Sequence, residues 1–214
     1  MNITIFGAGN MGRGIGHRLV AGGHSVTFVD ANPEVAEKTA EELRGAAKKG
    51  AKVSTASSGN VELGEVVVLA VWYGVNIETV KQLGTKLSGK VVVDIANPLN
   101  STYDGLATAP DSSSAEEVAT AAAPGTKVLK AFNTTFAGTL VAGKVAGQPL
   151  DVLIAGDDAD AKAKLARLVA DGGMRAVDTG ALNRARQLEG VGLLHITLQG
   201  TLGTNWMSAV KIIN

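Results

Sequence analysis

The stretch Ile3-Thr4-Ile5-Phe6-Gly7-Ala8-Gly9-Asn10-Met11-Gly12 decides the fold of this 214-residue chain. Its first four residues predict a buried strand, and the glycine-rich segment opens a predicted helix. In this setting Gly7 turns the chain, Gly9 lets a pyrophosphate approach the backbone, and Gly12 packs the helix against the strand. Free amides at the helix N-terminus then face the phosphate charge. We therefore predict a dinucleotide-binding loop formed by Gly7, Ala8, Gly9, Asn10, Met11 and Gly12.

An acidic residue follows the second predicted strand, at residues 25–29. Asp30 stands where Rossmann proteins place the carboxylate that accepts hydrogen bonds from the adenosine ribose. A carboxylate there also repels the 2′-phosphate of NADP. Residues 30–36 contain no Arg, and Lys38 is the nearest candidate to bind a 2′-phosphate. Asp30, Ala31 and Asn32 are thus predicted ribose contacts, and Asp30 favours NAD.

Apolar runs and helical segments alternate along the rest of the chain. Several runs are apolar at nearly every position, which is typical of strands buried on both faces of a parallel sheet. We predict an α/β fold, a doubly wound and mostly parallel Rossmann sheet of about eight strands with a small helical C-terminal part. Strands are predicted at residues 2–6, 25–29, 51–54, 66–71, 91–95, 127–131, 151–155 and 175–178, and helices at 11–21, 33–49, 75–87, 114–122 and 158–170, with a long apolar helix after residue 182.

Two finer predictions concern local structure and domain organisation. Ser114 is expected to cap the helix at 114–122, with Glu117 completing a capping box. Residues 1–180 are predicted to form the dinucleotide-binding domain. Residues 181–214 are predicted to form a helical appendage that completes the substrate groove and supplies a homodimer interface, because residues 188–202 are too apolar for a fully exposed helix.

Composition and charge exclude several classes of function. Lys plus Arg and Asp plus Glu each number 20, so no basic field is available to bind nucleic acid. The chain has no cysteine, and no His, Asp or Glu spacing resembles a ligand set, so we expect no metal site. No apolar run reaches the ~20 residues that cross a membrane. These features predict a cytoplasmic protein that acts on a small molecule.

Beyond the glycine loop, the order of several motifs resembles the family of coenzyme F420-dependent NADP oxidoreductases. The likeness spans nearly the full length, and six ordered motifs are more specific than one glycine loop. The motifs are Gly7 to Gly12 with Gly23-His24, Val91-Val92-Val93-Asp94-Ile95-Ala96-Asn97-Pro98-Leu99, Ser114-Ala115-Glu116-Glu117-Val118-Ala119, Val128-Leu129-Lys130-Ala131-Phe132-Asn133-Thr134, Ala155-Gly156-Asp157-Asp158, and Val177-Asp178-Thr179-Gly180-Ala181-Leu182.

The resemblance implies an oxidoreductase that transfers a hydride between a nicotinamide dinucleotide and a second redox partner, the deazaflavin coenzyme F420. Transfer from ring to ring needs no essential protein acid or base. The resemblance favours NADP whereas Asp30 favours NAD, so both stay open. Further contacts implied for the nucleotide are Ala70, Val71 and Trp72 after the fourth strand, and Asn97, Pro98, Ala131, Phe132 and Asn133 at the nicotinamide end.

Other functions remain open at this point. One alternative is a reductase of the same fold that acts on a carbonyl, an imine, a flavin or a ferric chelate, with His195 or Tyr73 as proton donor. His195 lies in an apolar helical stretch, where it is either a hydrogen-bonded core or interface residue or part of a substrate pocket. A third alternative is a non-catalytic NAD(H) sensor, for which this chain offers no obvious effector domain.

Overall fold

The structure is a computed structural model that describes residues 1–48 and 50–213. Eight strands form the main sheet, in the order β10-β9-β6-β5-β4-β1-β2-β3, and β7 and β8 form a separate hairpin. All neighbours in the main sheet are parallel except β6 and β9. The predicted fold class is confirmed. The strands are β1 (Asn2–Phe6), β2 (Ser25–Val29), β3 (Val53–Thr55), β4 (Val66–Leu69), β5 (Val91–Asp94), β6 (Lys127–Lys130), β7 (Lys144–Val145), β8 (Gln148–Pro149), β9 (Asp151–Gly156) and β10 (Arg175–Gly180).

Helices cover both faces of the sheet, as the continuous apolar strands predicted. In β4, Val66 and Val68 contribute to the core beneath one set of helices, and Val67 and Leu69 contribute to the core on the other face. The helices are α1 (Asn10–Ala21), α2 (Pro33–Ala46), α3 (Val75–Leu83), α4 (Ser114–Ala121), α5 (Ala137–Ala142), α6 (Ala159–Asp171), α7 (Ala185–Thr197) and α8 (Gln199–Leu202), with 3-10 segments at Gly84–Leu87 and Leu182–Arg184.

Several predicted boundaries differ from the structure. For example, β4 ends at Leu69 rather than at residue 71, and three further differences concern α2, α3 and β3. The second helix ends at Ala46, and its predicted last residue, Lys49, lies outside the described residues. The predicted helix at 75–87 stops at Leu83 because Gly84 takes a positive φ of 50°, and a 3-10 turn continues it. The third strand begins at Val53 rather than at residue 51.

The predicted capping box is wrong by one residue. Ser113 is the N-cap of α4 and accepts a hydrogen bond from the Glu116 amide at 3.2 Å, while its hydroxyl donates to Glu116 Oε2 at 2.8 Å. The hydroxyl of Ser114 is instead an acceptor for the buried side chain of Asn76, at 2.9 Å. The shift follows from tertiary contacts, since Arg186 on α7 also binds Glu116, at 2.8 Å.

The C-terminal segment packs directly on the Rossmann sheet. Leu182 and Ala185 share the core formed by β4, β5 and α4, and Leu188 packs against β9. The chain then returns to the sheet, where the Ile212 amide donates to Asp151 Oδ2 at 2.8 Å. The division at residues 180 and 181 stays a prediction.

Candidate active site

Parallel strands bring the glycine loop to the carboxyl edge of the sheet, between β1 and α1. Gly7 has a φ of 94°, and a β-carbon there would overlap the carbonyl of Ala70 at the end of β4. The Gly7 amide donates to Val29 O at 2.8 Å, and Thr39 Oγ1 on α2 donates to Ala8 O at 2.9 Å. The loop is therefore held by hydrogen bonds from its neighbours.

The start of α1 is suited to bind a phosphate. Its N-cap residue is Gly9, and among the described residues no side chain caps this helix. The first-turn amides of an uncapped helix carry partial positive charge and need acceptors. A β-carbon at Gly9 would meet no described atom within 4 Å, which leaves open space above the loop.

A cavity of about 600 Å³ lies over this edge of the sheet. Its volume is in the usual range for a site that binds a small molecule or cofactor. Seven of the predicted contact residues line it, which places the glycine loop, the end of β2 and the end of β4 around one space. They are Gly7, Gly9, Asp30, Ala31, Ala70, Val71 and Trp72.

Asp30 is anchored at the rim of this cavity. Its Oδ2 accepts from the Ala8 amide at 2.8 Å, and its Oδ1 accepts from the Asn32 amide at 2.9 Å. The side chain thus links the end of β2 to the glycine loop. Lys38, the sequence-based candidate for a 2′-phosphate, is exposed on α2 and is not among the residues that line the cavity.

The residues predicted for the nicotinamide end lie outside this cavity lining. Asn97 is half-buried, whereas Ala131, Phe132 and Asn133 are buried. Asn97 Nδ2 donates to Asn133 O at 2.8 Å, and Asn133 Nδ2 donates to Asn97 Oδ1 at 2.9 Å. Helix α7 packs closely against this pair at Gly192, where a β-carbon would overlap the side-chain amide of Asn97.

Two buried polar atoms at this end have no partner among the described residues, namely Asn133 Oδ1 and the neighbouring Thr134 Oγ1. An unpaired buried acceptor costs about 1–3 kcal/mol. The Asn133 amide nitrogen, by contrast, is fully used, since it also donates to Leu188 O on α7 at 2.8 Å. Asn133 Oδ1 is therefore a candidate acceptor for an amide N–H donor.

A buried charged network that the sequence analysis missed ties α7 to the same strand ends. Lys130 Nζ binds Asp94 Oδ2 at 2.8 Å and Glu189 Oε1 at 2.7 Å, and all three side chains are fully buried. Lys130 Nζ also donates to Ala96 O, next to Asn97. Burial raises the pKa of Glu189, against the opposing effect of Lys130. The signal was present in the sequence, because Asp94 and Lys130 interrupt apolar strands.

The two candidate proton donors are both engaged by the protein. His195 is buried, with its ring nitrogens 3.3 Å from Thr134 O and 2.8 Å from Ser208 Oγ, and burial lowers its pKa. Tyr73 donates to Glu117 Oε2 at 2.8 Å; burial, followed by this hydrogen bond, raises its pKa to about 12. Neither side chain lines the cavity.

Further cavity residues were not found from the sequence. Two of them end β1 and β2, and the other seven come from the loop after β3 and from α3 with its 3-10 extension, segments that flank the carboxyl edge in this topology but carry no distinctive motif. Only the placement of the strands could have indicated them. They are Phe6, Val29, Ser58, Gly59, Val75, Thr79, Gln82, Leu83 and Lys86.

The fold and the glycine loop define a Rossmann protein with a candidate dinucleotide site, and comparisons with known proteins identify its family. The family model described as "NADP oxidoreductase coenzyme F420-dependent" matches residues 2–98. An F420-dependent NADP reductase from Methanocaldococcus jannaschii is 31% identical over 210 residues, which cover 92% of each chain. The chain therefore belongs to the family of F420-dependent NADP oxidoreductases, as the six motifs predicted.

Two further relatives show how far the likeness extends. A solved structure of a putative F420-dependent NADP reductase from Arthrobacter sp. FB24 has a TM-score of 0.85 and 30% identity, with 99% of each chain covered. The metalloreductase STEAP3 of Rattus norvegicus is 31% identical over 191 residues, 89% of this chain. That match spans only 36% of STEAP3, so this chain corresponds to about a third of that relative's length. Among the described residues, no helix is both long and apolar enough to cross a membrane.

Proposed function

We propose that this protein transfers a hydride between a nicotinamide dinucleotide and coenzyme F420. The observation that carries the proposal is the cavity above the glycine loop, in a chain that matches an F420-dependent NADP reductase over 92% of its length. Hydride transfer is chemistry that the two cofactors supply when bound, and the protein contributes binding and orientation.

The residues fit the nucleotide at each end. The uncapped amides of α1 and the open space at Gly9 receive the pyrophosphate. Asp30 and Ala31 lie where the adenosine ribose binds, and Trp72, with 83% of its surface exposed, lies at the cavity rim. At the far end Asn133 Oδ1, which is buried outside the cavity lining and has no partner among the described residues, is the acceptor that we assign to the carboxamide N–H of the nicotinamide.

The alternative reductases that need a protein proton donor find little support in this site. A Tyr73 pKa of about 12 makes its hydroxyl a weak acid, and Glu117 already accepts its proton in a hydrogen bond. His195 is held between Thr134 and Ser208. Direct ring-to-ring transfer requires neither group.

We also propose that the protein is a homodimer. Leu194, Leu198 and Leu202 recur every four residues along α7 and α8, and 59%, 37% and 52% of their surfaces are exposed. Trp206 and Met207 extend the same C-terminal region with 51% and 45% exposed. A second copy of the chain would cover this apolar surface and complete the substrate groove.

The proposed function is tested with the purified protein, F420 and each nicotinamide nucleotide in turn. Loss of the deazaflavin absorbance should require both the protein and a reduced nucleotide. A β-carbon at Gly9 would meet no described atom within 4 Å, so we expect Gly9→Val to fold normally and to bind nucleotide at least about tenfold more weakly.

Gly45→Ala is the matched control, since a β-carbon there also meets no described atom within 4 Å, but Gly45 lies on α2 outside the cavity lining. This variant should keep full activity. Absence of F420 reduction with both NADH and NADPH would contradict the proposal, as would full activity in Gly9→Val.

A further inference from the structure

We propose that Asp30 makes this site select NAD(H) over NADP(H), in contrast to the relatives whose names specify NADP. The inference rests on the proposed nicotinamide dinucleotide site and deepens it. It is carried by the position of the carboxylate, which lines the cavity at the end of β2 while both of its oxygens are bound to backbone amides.

The two hydrogen bonds hold the carboxylate in place. The Ala8 amide belongs to the glycine loop and the Asn32 amide precedes α2, so the Asp30 side chain spans two segments of the site. Hydrogen bonds to an ionised acceptor are stronger than those between neutral groups. Rotation of Asp30 away from an incoming phosphate would break both of them, including the one that it accepts from the glycine loop.

The anchored carboxylate can still bind a ribose. Each carboxylate oxygen has about two lone-pair sites, and the Ala8 and Asn32 amides use one on each oxygen. The remaining sites can accept hydrogen bonds from the 2′- and 3′-hydroxyls of NAD. A 2′-phosphate brings only acceptors and negative charge to the same place, so it gains no hydrogen bond from Asp30 and is repelled by it.

The charged side chains near Asp30 do not favour NADP over NAD. Ala31 and Asn32, which follow Asp30, are uncharged, and Lys38 is exposed outside the cavity lining. Among the described residues that line the cavity, the one cationic side chain is Lys86. It comes from the 3-10 segment after α3, whereas Asp30 directly follows β2, so the two side chains belong to different segments of the lining.

Nucleotide titration without any deazaflavin tests this inference. NADH and NADPH are titrated separately, and binding is followed by tryptophan fluorescence, to which Trp72 at the cavity rim contributes. The wild-type protein should bind NADH at least about tenfold more tightly than NADPH, equivalent to about 1.4 kcal/mol. Equal affinity, or tighter binding of NADPH, would overturn the inference without recourse to any variant.

Three variants locate the cause. Asp30→Asn removes the charge but keeps the side-chain shape, and should narrow or reverse the ratio of the two dissociation constants. Glu34→Gln removes the same charge from an exposed position in the first turn of α2, outside the cavity lining, and should leave the ratio unchanged. An equal change in both variants would contradict a local role for Asp30.

Lys86→Met tests the remaining cation. If Lys86 bound the 2′-phosphate, this variant would lose affinity for NADPH specifically, and that loss would count against the inference. We expect both nucleotides to change equally. These titrations contain no F420. If the activity assay shows no F420 reduction, that result contradicts F420 as the hydride acceptor, and the nucleotide titrations still test the selection of NAD(H).

Discussion

Replacing Lys130 with Met should destabilise the protein strongly, although the two side chains are similar in length. Lys130 lies fully buried between the carboxylates of Asp94 and Glu189, at 2.8 Å and 2.7 Å. The variant leaves two buried carboxylates without a cation, and removal of one partner from a buried pair costs about 3–5 kcal/mol. For a chain of this size each kcal/mol corresponds to about 2–4 °C, so the melting temperature should fall by about 6–20 °C.

Thermal unfolding followed by circular dichroism at neutral pH measures this effect. The control is Lys81→Met, since Lys81 pairs with Glu78 on the surface at 3.1 Å, with 57% and 63% of the two side chains exposed. Exposed pairs of this kind contribute at most about 0.5 kcal/mol, so the control should melt within about 2 °C of the wild type. A Lys130→Met protein that melts as late as this control would refute the assigned role of the buried network.

Three further predictions follow from the same contacts. Burial raises the pKa of Glu189 above its usual 4.5, so the free energy of unfolding should fall as the pH rises from 4.5 through the raised pKa. Chemical denaturation at several pH values measures this decline, which should be smaller in Glu189→Gln. Gly192→Ala would overlap the Asn97 amide and should cost about 1–3 kcal/mol by the same assay. Leu194→Glu should convert the dimer into a monomer, which light scattering detects as a halved molecular mass. A molecular mass equal to that of the wild type would contradict the proposed interface.

The sequence predicts the first half of the site well because its signals are local. A buried strand, three spaced glycines and an acidic residue after the next strand impose one geometry on the backbone. The structure accordingly places Gly7, Gly9 and Asp30 around one cavity. The hydrogen bonds that Asp30 accepts from the Ala8 and Asn32 amides could not be predicted, since they depend on the side-chain rotamer of Asp30 and on the position of the glycine loop.

The second half of the site depends on contacts between distant segments. The sequence marks individual polar residues in apolar strands, but it does not show which of them meet. Lys130, Asp94 and Glu189 belong to β6, β5 and α7, and only the folded chain shows that they meet. The same reason explains the misplaced capping box. Arg186, 70 residues away in the sequence, binds Glu116 and so favours Ser113 as the cap.

The central claim is that this protein orients two cofactors for direct hydride transfer. The most direct test uses NADH and NADPH carrying deuterium at the transferable C4 position, with F420 in ordinary water. Reduced F420 should retain the deuterium, because no protein group exchanges it with solvent. Reduced F420 that carries only solvent hydrogen, or no reduction by either nucleotide, would contradict direct hydride transfer.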